Sequence, residues 1–369
     1  MGPSDASLQV ENDFDYLCTF LPKGWEQQAK VMGALRRCRK IPDSRILLRI
    51  LLIHLAEGCS LRETALRARE GNLIDLSDVA IMDRLRSAGQ WFRWMNAAMV
   101  STWVHLPPSA IYGSNYRVRV VDGSRIKEPG PTGSSWCLHY AIDLPSLACS
   151  QIIISDASGC GETFKRFEVR SGELMIGDRV YGVLPGIEHV TKHGAEVLVR
   201  FGWNLLPLWE SPGKKFALFP KLRTLRGTRI GDWPVLFQSS SGFHPGRVCA
   251  IKKSRQATEK ARQKAKQKSQ KQGSQVQPET LEAAGYVFVF TTVPAAELPP
   301  SKVLEMYRGR WQIELVFKRL KSILSLGHLR KVDSTSAQSW LQGKLLVALL
   351  MEALLRKGEA FFPWGFPIS

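Results

Sequence analysis

No stretch of this sequence is long and apolar enough to cross a bilayer. The longest candidates, Ile46 to Ala56 and Leu345 to Leu355, are too short and carry Arg49, His54 and Glu352. Basic residues are missing where a leader would need them: the first fifteen residues hold Asp5, Glu11, Asp13 and Asp15 but no Lys or Arg. The seven cysteines contain no Cys-x-x-Cys pair, and an odd count suits reduced thiols better than a disulfide framework. The expectation is a soluble, cytoplasmic protein with no membrane-spanning segment. No period of 20 to 50 residues repeats, which excludes a solenoid. Acids are scarce beside bases, 33 Asp and Glu against 51 Lys and Arg, and the formal net charge is +18. So large an imbalance points to a polyanionic partner, nucleic acid or an anionic membrane surface, and charge alone does not choose. A hydrophobic content of 44% over 369 residues is that of an ordinary globular chain with room for two or three domains.

Residues 16 to about 100 read as helical. Ser44 can cap a helix through Ile46, Leu47, Ile50, Leu51 and Leu55, which Glu57-Gly58 ends. Ser60-Leu61-Arg62-Glu63 has capping-box spacing and opens a helix to about Glu70. Ser77 can cap a third helix with Val79, Met82, Leu85 and Ala88 as its apolar stripe and Arg84, Arg86 and Arg93 outside it. This arrangement suits a helix-turn-helix DNA reader or a helical bundle without a ligand. From Tyr116 the period becomes two. Arg117 to Val121 ends on Asp122-Gly123, and further strands are expected at Ala148 to Ile154, Glu173 to Ile176 and Glu196 to Arg200, with a helix from Ile187 to His193. Strand-like pieces follow at Phe216 to Leu218, Trp233 to Phe237 and Tyr286 to Phe290. Helices are expected over Ser301 to Leu324 and Trp340 to Leu355.

Asp122 and Asp178 each stand at the carboxyl end of an expected apolar strand, the edge of an open α/β sheet where ligands sit. Either one alone could be a turn former. A third candidate lies in Tyr307-Arg308-Gly309-Arg310-Trp311-Gln312-Ile313-Glu314, continuing to Lys321. On a single helix, Tyr307, Arg310, Glu314 and Lys321 fall within an arc of about 60°, apart from the apolar face of Ile313, Val316, Phe317 and Leu320. By itself this could be a solvated face with an Arg310–Glu314 ion pair.

In order and spacing, these residues resemble the Tyr-x2-Arg-x3-Glu-x6-Lys signature of DDE transposases of the IS-four type, encoded by bacterial insertion sequences. Val120-Val121-Asp122-Gly123-Ser124 is similar to that family's first-Asp strand, and Ile176-Gly177-Asp178-Arg179-Val180-Tyr181-Gly182 to its second. The resemblance implies an α/β fold: a ribonuclease-H-like catalytic core with a β-rich insertion between the second Asp and the Glu, and an N-terminal all-helical DNA-binding region. The expected division is 1–112 helical, 113–204 first part of the core, 205–296 insertion with a basic segment, and 297–369 C-terminal core helices. The implied activity is metal-dependent cleavage and strand transfer of DNA at the ends of an insertion sequence. Asp122, Asp178 and Glu314 would hold two Mg2+ or Mn2+ ions, since three carboxylates supply the oxygen ligands hard divalent ions prefer. Tyr307, Arg310 and Lys321 would contact phosphates, and Trp311 would stack on an unpaired base, its alternative being a partly buried interface residue. The partners implied are duplex DNA, as terminal inverted repeats and target, and a second copy of the chain in a homodimer assembled on nucleoid DNA. A nuclease that cuts without joining and a non-catalytic DNA-binding remnant are the rival readings. Members of the family commonly continue with more helix where this chain reaches Phe362 to Ser369, implying a shortened dimerisation or end-binding element.

Other patterns carry less. His189-x3-His193 has metal-ligand spacing without a third ligand nearby and reads as a surface pair. Gly159-Cys160-Gly161-Glu162-Thr163 lacks the Lys-Ser/Thr ending of a phosphate loop and reads as a turn. Lys252 to Lys271 holds nine basic residues and Glu259, with Lys260, Lys264 and Lys268 at four-residue spacing. It is either an exposed helix or a disordered linker, and in the transposase reading both lie on DNA phosphates.

Overall fold

The computed structural model describes residues 13–35, 40–104, 115–127, 135–144, 146–156, 161–322 and 333–359. Cys38, Gly159, Cys160 and the Phe362–Ser369 run lie outside them. After a helical stretch at 13–18, the amino-terminal part holds helices α1 (Trp25–Val31), α2 (Ser44–Ala56), α3 (Leu61–Glu70), α4 (Asp78–Ser87) and α5 (Gly89–Val104). Ser60 and Ser77 cap α3 and α4, accepting from the Glu63 and Ala80 amides at 3.1 and 3.2 Å. The cap of α2 lies one residue earlier than expected. Asp43 accepts from the Ile46 amide at 2.8 Å, a position where negative charge meets the positive end of the helix dipole, while the Ser44 hydroxyl donates to the Glu26 carbonyl. The apolar stripe of α4 also differs: Ile81, Leu85 and Ala88 are buried, and Val79 is 66% exposed. Arg86 turns toward Ser336 and Asp333.

A ten-stranded mixed sheet follows, in the order β3-β2-β1-β4-β5-β10-β9-β8-β6-β7. Its strands are β1 (Arg117–Lys127), β2 (Ser135–Asp143), β3 (Ala148–Ser155), β4 (Glu173–Gly177), β5 (Glu196–Arg200), β6 (Trp209–Ser211), β7 (Lys214–Lys215), β8 (Ile230–Ser239), β9 (Gly242–Lys252) and β10 (Tyr286–Thr291). Strands β1, β4 and β5 run parallel, β2 pairs antiparallel with β1, and β3 pairs antiparallel with β2. Antiparallel β10, β9 and β8 extend the same sheet beyond β5, so the strands of the 205–296 segment continue the first sheet. Strand β1 does not stop at Asp122-Gly123: β2 pairs with it as far as Lys127. Leu218 is not strand but the start of helix α7 (Leu218–Arg223), and Pro220 in its first turn suits a helix opening.

Each face of the sheet has its own core. Alternation along β1 sends Val118, Val120 and Ile126 to one face, packed with α2, α5 and the last described helix, α12 (Ser334–Glu359). Val121 points to the other face, among Phe164, Met175, Tyr181 and helix α6 (Leu184–Lys192). Helix α12 lies against α5, where the Asn96 amide donates to the Gln342 carbonyl at 2.9 Å. A Cβ added at Gly343 of α12 would come 2.5 Å from Leu55 Cδ1, so the last described helix completes the core that the first ones begin. At the amino ends of β1 and β4, Arg119 and Glu173 form a buried ion pair at 2.9 Å. The five described cysteines, 18, 59, 137, 149 and 249, are free thiols. Among the described residues no helix is long and apolar enough to cross a membrane.

Candidate active site

Parallel register brings the two aspartates together. Val120 of β1 is level with Ile176 of β4, so Asp122 and Asp178, two residues further along each chain, emerge side by side, Asp178 just past the end of β4 and Asp122 where β1 runs on beyond its pairing with β4. Each is fixed by its own backbone: Asp122 Oδ1 accepts from the Gly123 amide and Asp178 Oδ1 from the Val180 amide, both at 2.8 Å.

The third acid arrives on a helix, though not the single continuous one its spacing suggested. Helix α10 (Pro300–Gly309) and helix α11 (Trp311–Ser322) meet at Arg310, where the Arg310 amide bonds Tyr307 O and the Ile313 amide bonds Arg310 O, tightening the backbone to an i→i−3 pattern. Gly309 permits the join, since a Cβ there would stand 2.8 Å from Leu144 Cδ2. Glu314 sits in the first turn of α11, which packs over β1. The Arg310 guanidinium lies 3.7 Å from Asp122 Oδ2 and hydrogen-bonds Glu314 Oε1, so its cation stands between two of the three acids. It also lies over the Tyr307 ring, 6.0 Å from the centroid.

Burial pushes the Asp122 carboxyl up to about 6, with Asp178 and Glu314 adding to the shift and the Gly123 amide and Arg310 opposing it. A fourth acid, Glu162, is pushed up to about 7, again chiefly by burial and further by Asp122 and Asp178. Tyr181 is fully buried, its hydroxyl has no hydrogen-bond partner, and Asp122, Glu162 and Asp178 all act on it. Beside Asp178 lies a group of cations. Arg200 and Arg179 help burial hold Lys253 down to about 8, and Arg200 Nε is buried without a partner.

Among the described residues no group of three or more His, Cys, Asp or Glu side chains is close enough to hold a metal ion. The donor chemistry nonetheless fits one: an all-oxygen set, partly desolvated, whose mutual repulsion a divalent cation would relieve. The residues named from the sequence thus divide. Asp122, Asp178, Glu314, Arg310 and Tyr307 share one site. Trp311 is 56% exposed on its rim, and Lys321 is exposed near the far end of α11. Lys260, Lys264 and Lys268 stand apart on helix α8 (Arg255–Lys271), which Ser254 caps and which buries none of its residues, so this run is a helix rather than a linker. His189 and His193 pack ring to ring at 4.6 Å, and among the described residues they have no third ligand. Glu162, Tyr181 and Arg200 also belong here, although the sequence alone gives them no role: Glu162 reads as part of a turn, Tyr181 only accompanies the second Asp, and Arg200 ends a strand.

The family described as transposase DDE domain matches residues 113–350. The chain is 33% identical over 350 residues to the putative transposase InsL for insertion sequence element IS186A of Escherichia coli (strain K12), covering 93% of each chain. It is 32% identical over 351 residues to the transposase for insertion sequence element IS421 of Escherichia coli, again covering 93% of each. A shorter match, 32% over 213 residues, joins 51% of this chain to 43% of the transposase for insertion sequence element IS231F of Bacillus thuringiensis subsp. israelensis.

Proposed function

This chain belongs to the family of transposases with a DDE domain, enzymes of DNA transposition that depend on divalent metal, and from that premise we propose that Asp122, Asp178 and Glu314 are its catalytic acids. The observation that carries the assignment is the meeting of Asp122 and Asp178 where the pairing of two adjacent parallel strands ends, with Glu314 tied to Asp122 through Arg310. The strand order β3-β2-β1-β4-β5, with β1, β4 and β5 parallel, supports a ribonuclease-H-like core in which the 205–296 segment is an insertion.

The three acids would hold two Mg2+ or Mn2+ ions, which supply activation of the attacking oxygen and stabilisation of the leaving 3′-oxygen in displacement at phosphorus. The protein's own groups orient the strand. Arg310, released from Asp122 and Glu314, and Tyr307 grip phosphates beside the scissile bond, and Lys321 does so along α11, whose length of about 18 Å spans several nucleotides. Arg179, Arg200 and Lys253 continue the cationic path from Asp178 toward α8. Helices α3 and α4 read the terminal repeats, and two copies of the chain bridge the two ends on nucleoid DNA in the cytoplasm. The test is end cleavage in vitro. The purified protein with Mg2+ should nick a supercoiled plasmid carrying the element's ends, EDTA should stop it, and nicking that persists in EDTA would refute the reading.

Two further outcomes are expected. Trp311, at the site rim, is 56% exposed, as a stacking surface requires. Trp311→Ala should spare first-strand nicking and slow a later step that holds an unpaired base, by the roughly 5- to 150-fold that corresponds to about 1–3 kcal/mol of stacking. Equal slowing of all steps, measured by gel-resolved time courses, would make Trp311 a packing residue. On α8, replacing Lys260, Lys264 and Lys268 together by Gln should make the log-log salt slope of DNA binding shallower by up to about 3, at about 0.9 per phosphate contact, for every sequence alike. An unchanged slope in fluorescence-anisotropy titrations would remove α8 from the DNA.

A further inference from the structure

Alternation along β1 puts Asp122 on the same face as Val120, the face that α11 covers, and puts Gly123 on the opposite one. On that opposite face the place a side chain of residue 123 would fill belongs to Glu162. A Cβ at Gly123 would stand 2.7 Å from Glu162 Cγ and 2.9 Å from both Cδ and Oε1. The missing side chain therefore lets Glu162, from the segment just before the 3₁₀ turn Phe164–Arg166, bring its carboxylate to the strand edge, where Asp122 and Asp178 both act on it. Behind these acids the buried Tyr181 hydroxyl has no partner, although Asp122, Glu162 and Asp178 surround it electrostatically. A fully buried hydroxyl left unpaired costs free energy, and it marks a place where a further polar atom belongs, such as a ligand's coordinated water.

We propose that Glu162 is a fourth carboxylate of the divalent-ion centre, reaching it from the opposite face of the sheet through the space left by Gly123. The acids then enclose the centre from both faces: Asp122 and Glu314 from the α11 side, Glu162 from the α6 side, and Asp178 between them at the strand end. The Tyr181 hydroxyl serves as a positioning donor behind that cluster. The inference rests on the assignment of Asp122, Asp178 and Glu314 to metal binding and extends it to a residue outside the three-acid signature.

The experiment measures ion binding directly on the full chain without DNA. Mn2+ is titrated at pH 8 by electron paramagnetic resonance of the free ion, with circular dichroism to confirm that each variant is folded. Glu162→Gln should weaken Mn2+ binding about 10- to 100-fold. Gly123→Ala keeps the carboxylate but displaces it, and should copy Glu162→Gln. A loss in Glu162→Gln without a loss in Gly123→Ala would reduce Glu162 to a distant charge and overturn ligation. Wild-type affinity in Glu162→Gln alongside weakened binding in Asp122→Asn would overturn the role of Glu162 alone. Wild-type affinity in both would overturn the acid centre itself.

Discussion

Asp122→Asn is expected to lower end cleavage by at least about a thousandfold while leaving end binding within a few fold of wild type. The substitution keeps the side chain's size and still allows a hydrogen bond from the Gly123 amide, so β1 and its pairing with β4 are undisturbed. What it removes is a negatively charged ligand, and transition-state stabilisation by a bound ion amounts to several kcal/mol, each 1.4 kcal/mol being about tenfold in rate. Binding survives because phosphate contacts by Lys and Arg elsewhere supply the affinity. Asp178→Asn and Glu314→Gln should behave alike, for the three act as a unit and their losses do not add. Nicking by any of the three at the wild-type rate, with gel shift as the control for binding, would remove that residue from the catalytic set.

The second large effect concerns stability. Glu173 is 4% exposed, at the amino end of β4, and accepts from Arg119 Nη1 at 2.9 Å and from the Arg170 amide at 3.0 Å. Arg119 in turn donates to Ser150, to the Glu168 carbonyl and to Gln151. Glu173→Ala leaves a buried guanidinium without its carboxylate, a loss of about 3–5 kcal/mol, read as a lower urea midpoint. Replacing both partners by apolar residues of similar volume should cost much less, because neither charge is then buried alone. The pair ties the start of β1 to the start of β4, so its loss should lower the folded fraction while the surviving folded molecules cleave normally. A change in the single variant below about 1 kcal/mol would show that water reaches Arg119.

The aspartates could be found in the sequence because each closes a short apolar run that is β-prone on its own. The run Glu196–Arg200 was likewise bounded correctly, being β-branched and apolar between a glycine and a charge. Strand β9 was not legible: Pro245 and two glycines interrupt it, and only pairing with β8 and β10 makes it a strand. Nor was β2, whose Trp136, His139 and Tyr140 share a segment without a clear period. The join at Arg310 was hidden because Gly309 is needed for Leu144, a neighbour far away in the chain. Glu162 was hidden for the same reason. Its relation to Asp122 runs across the sheet through Gly123, and no spacing within the sequence encodes a contact between faces. Helix α8 was half legible: the repeat of alanine and lysine was visible, but its choice over a linker depended on the Ser254 cap and on Arg262 reaching the Leu281 carbonyl.

Helix α12 sets the order in which a growing chain can mature. Leu55, Phe92 and Asn96 find their partners Gly343 and Gln342 only after residues 334–359 have left the ribosome, and at about 5–20 residues per second those contacts form many seconds after the first helices emerge. Until then α2, α4 and α5 expose the apolar faces that α12 will cover. A product lacking residues 334–359 would keep those faces open, where transiently exposed apolar surface is prone to aggregation.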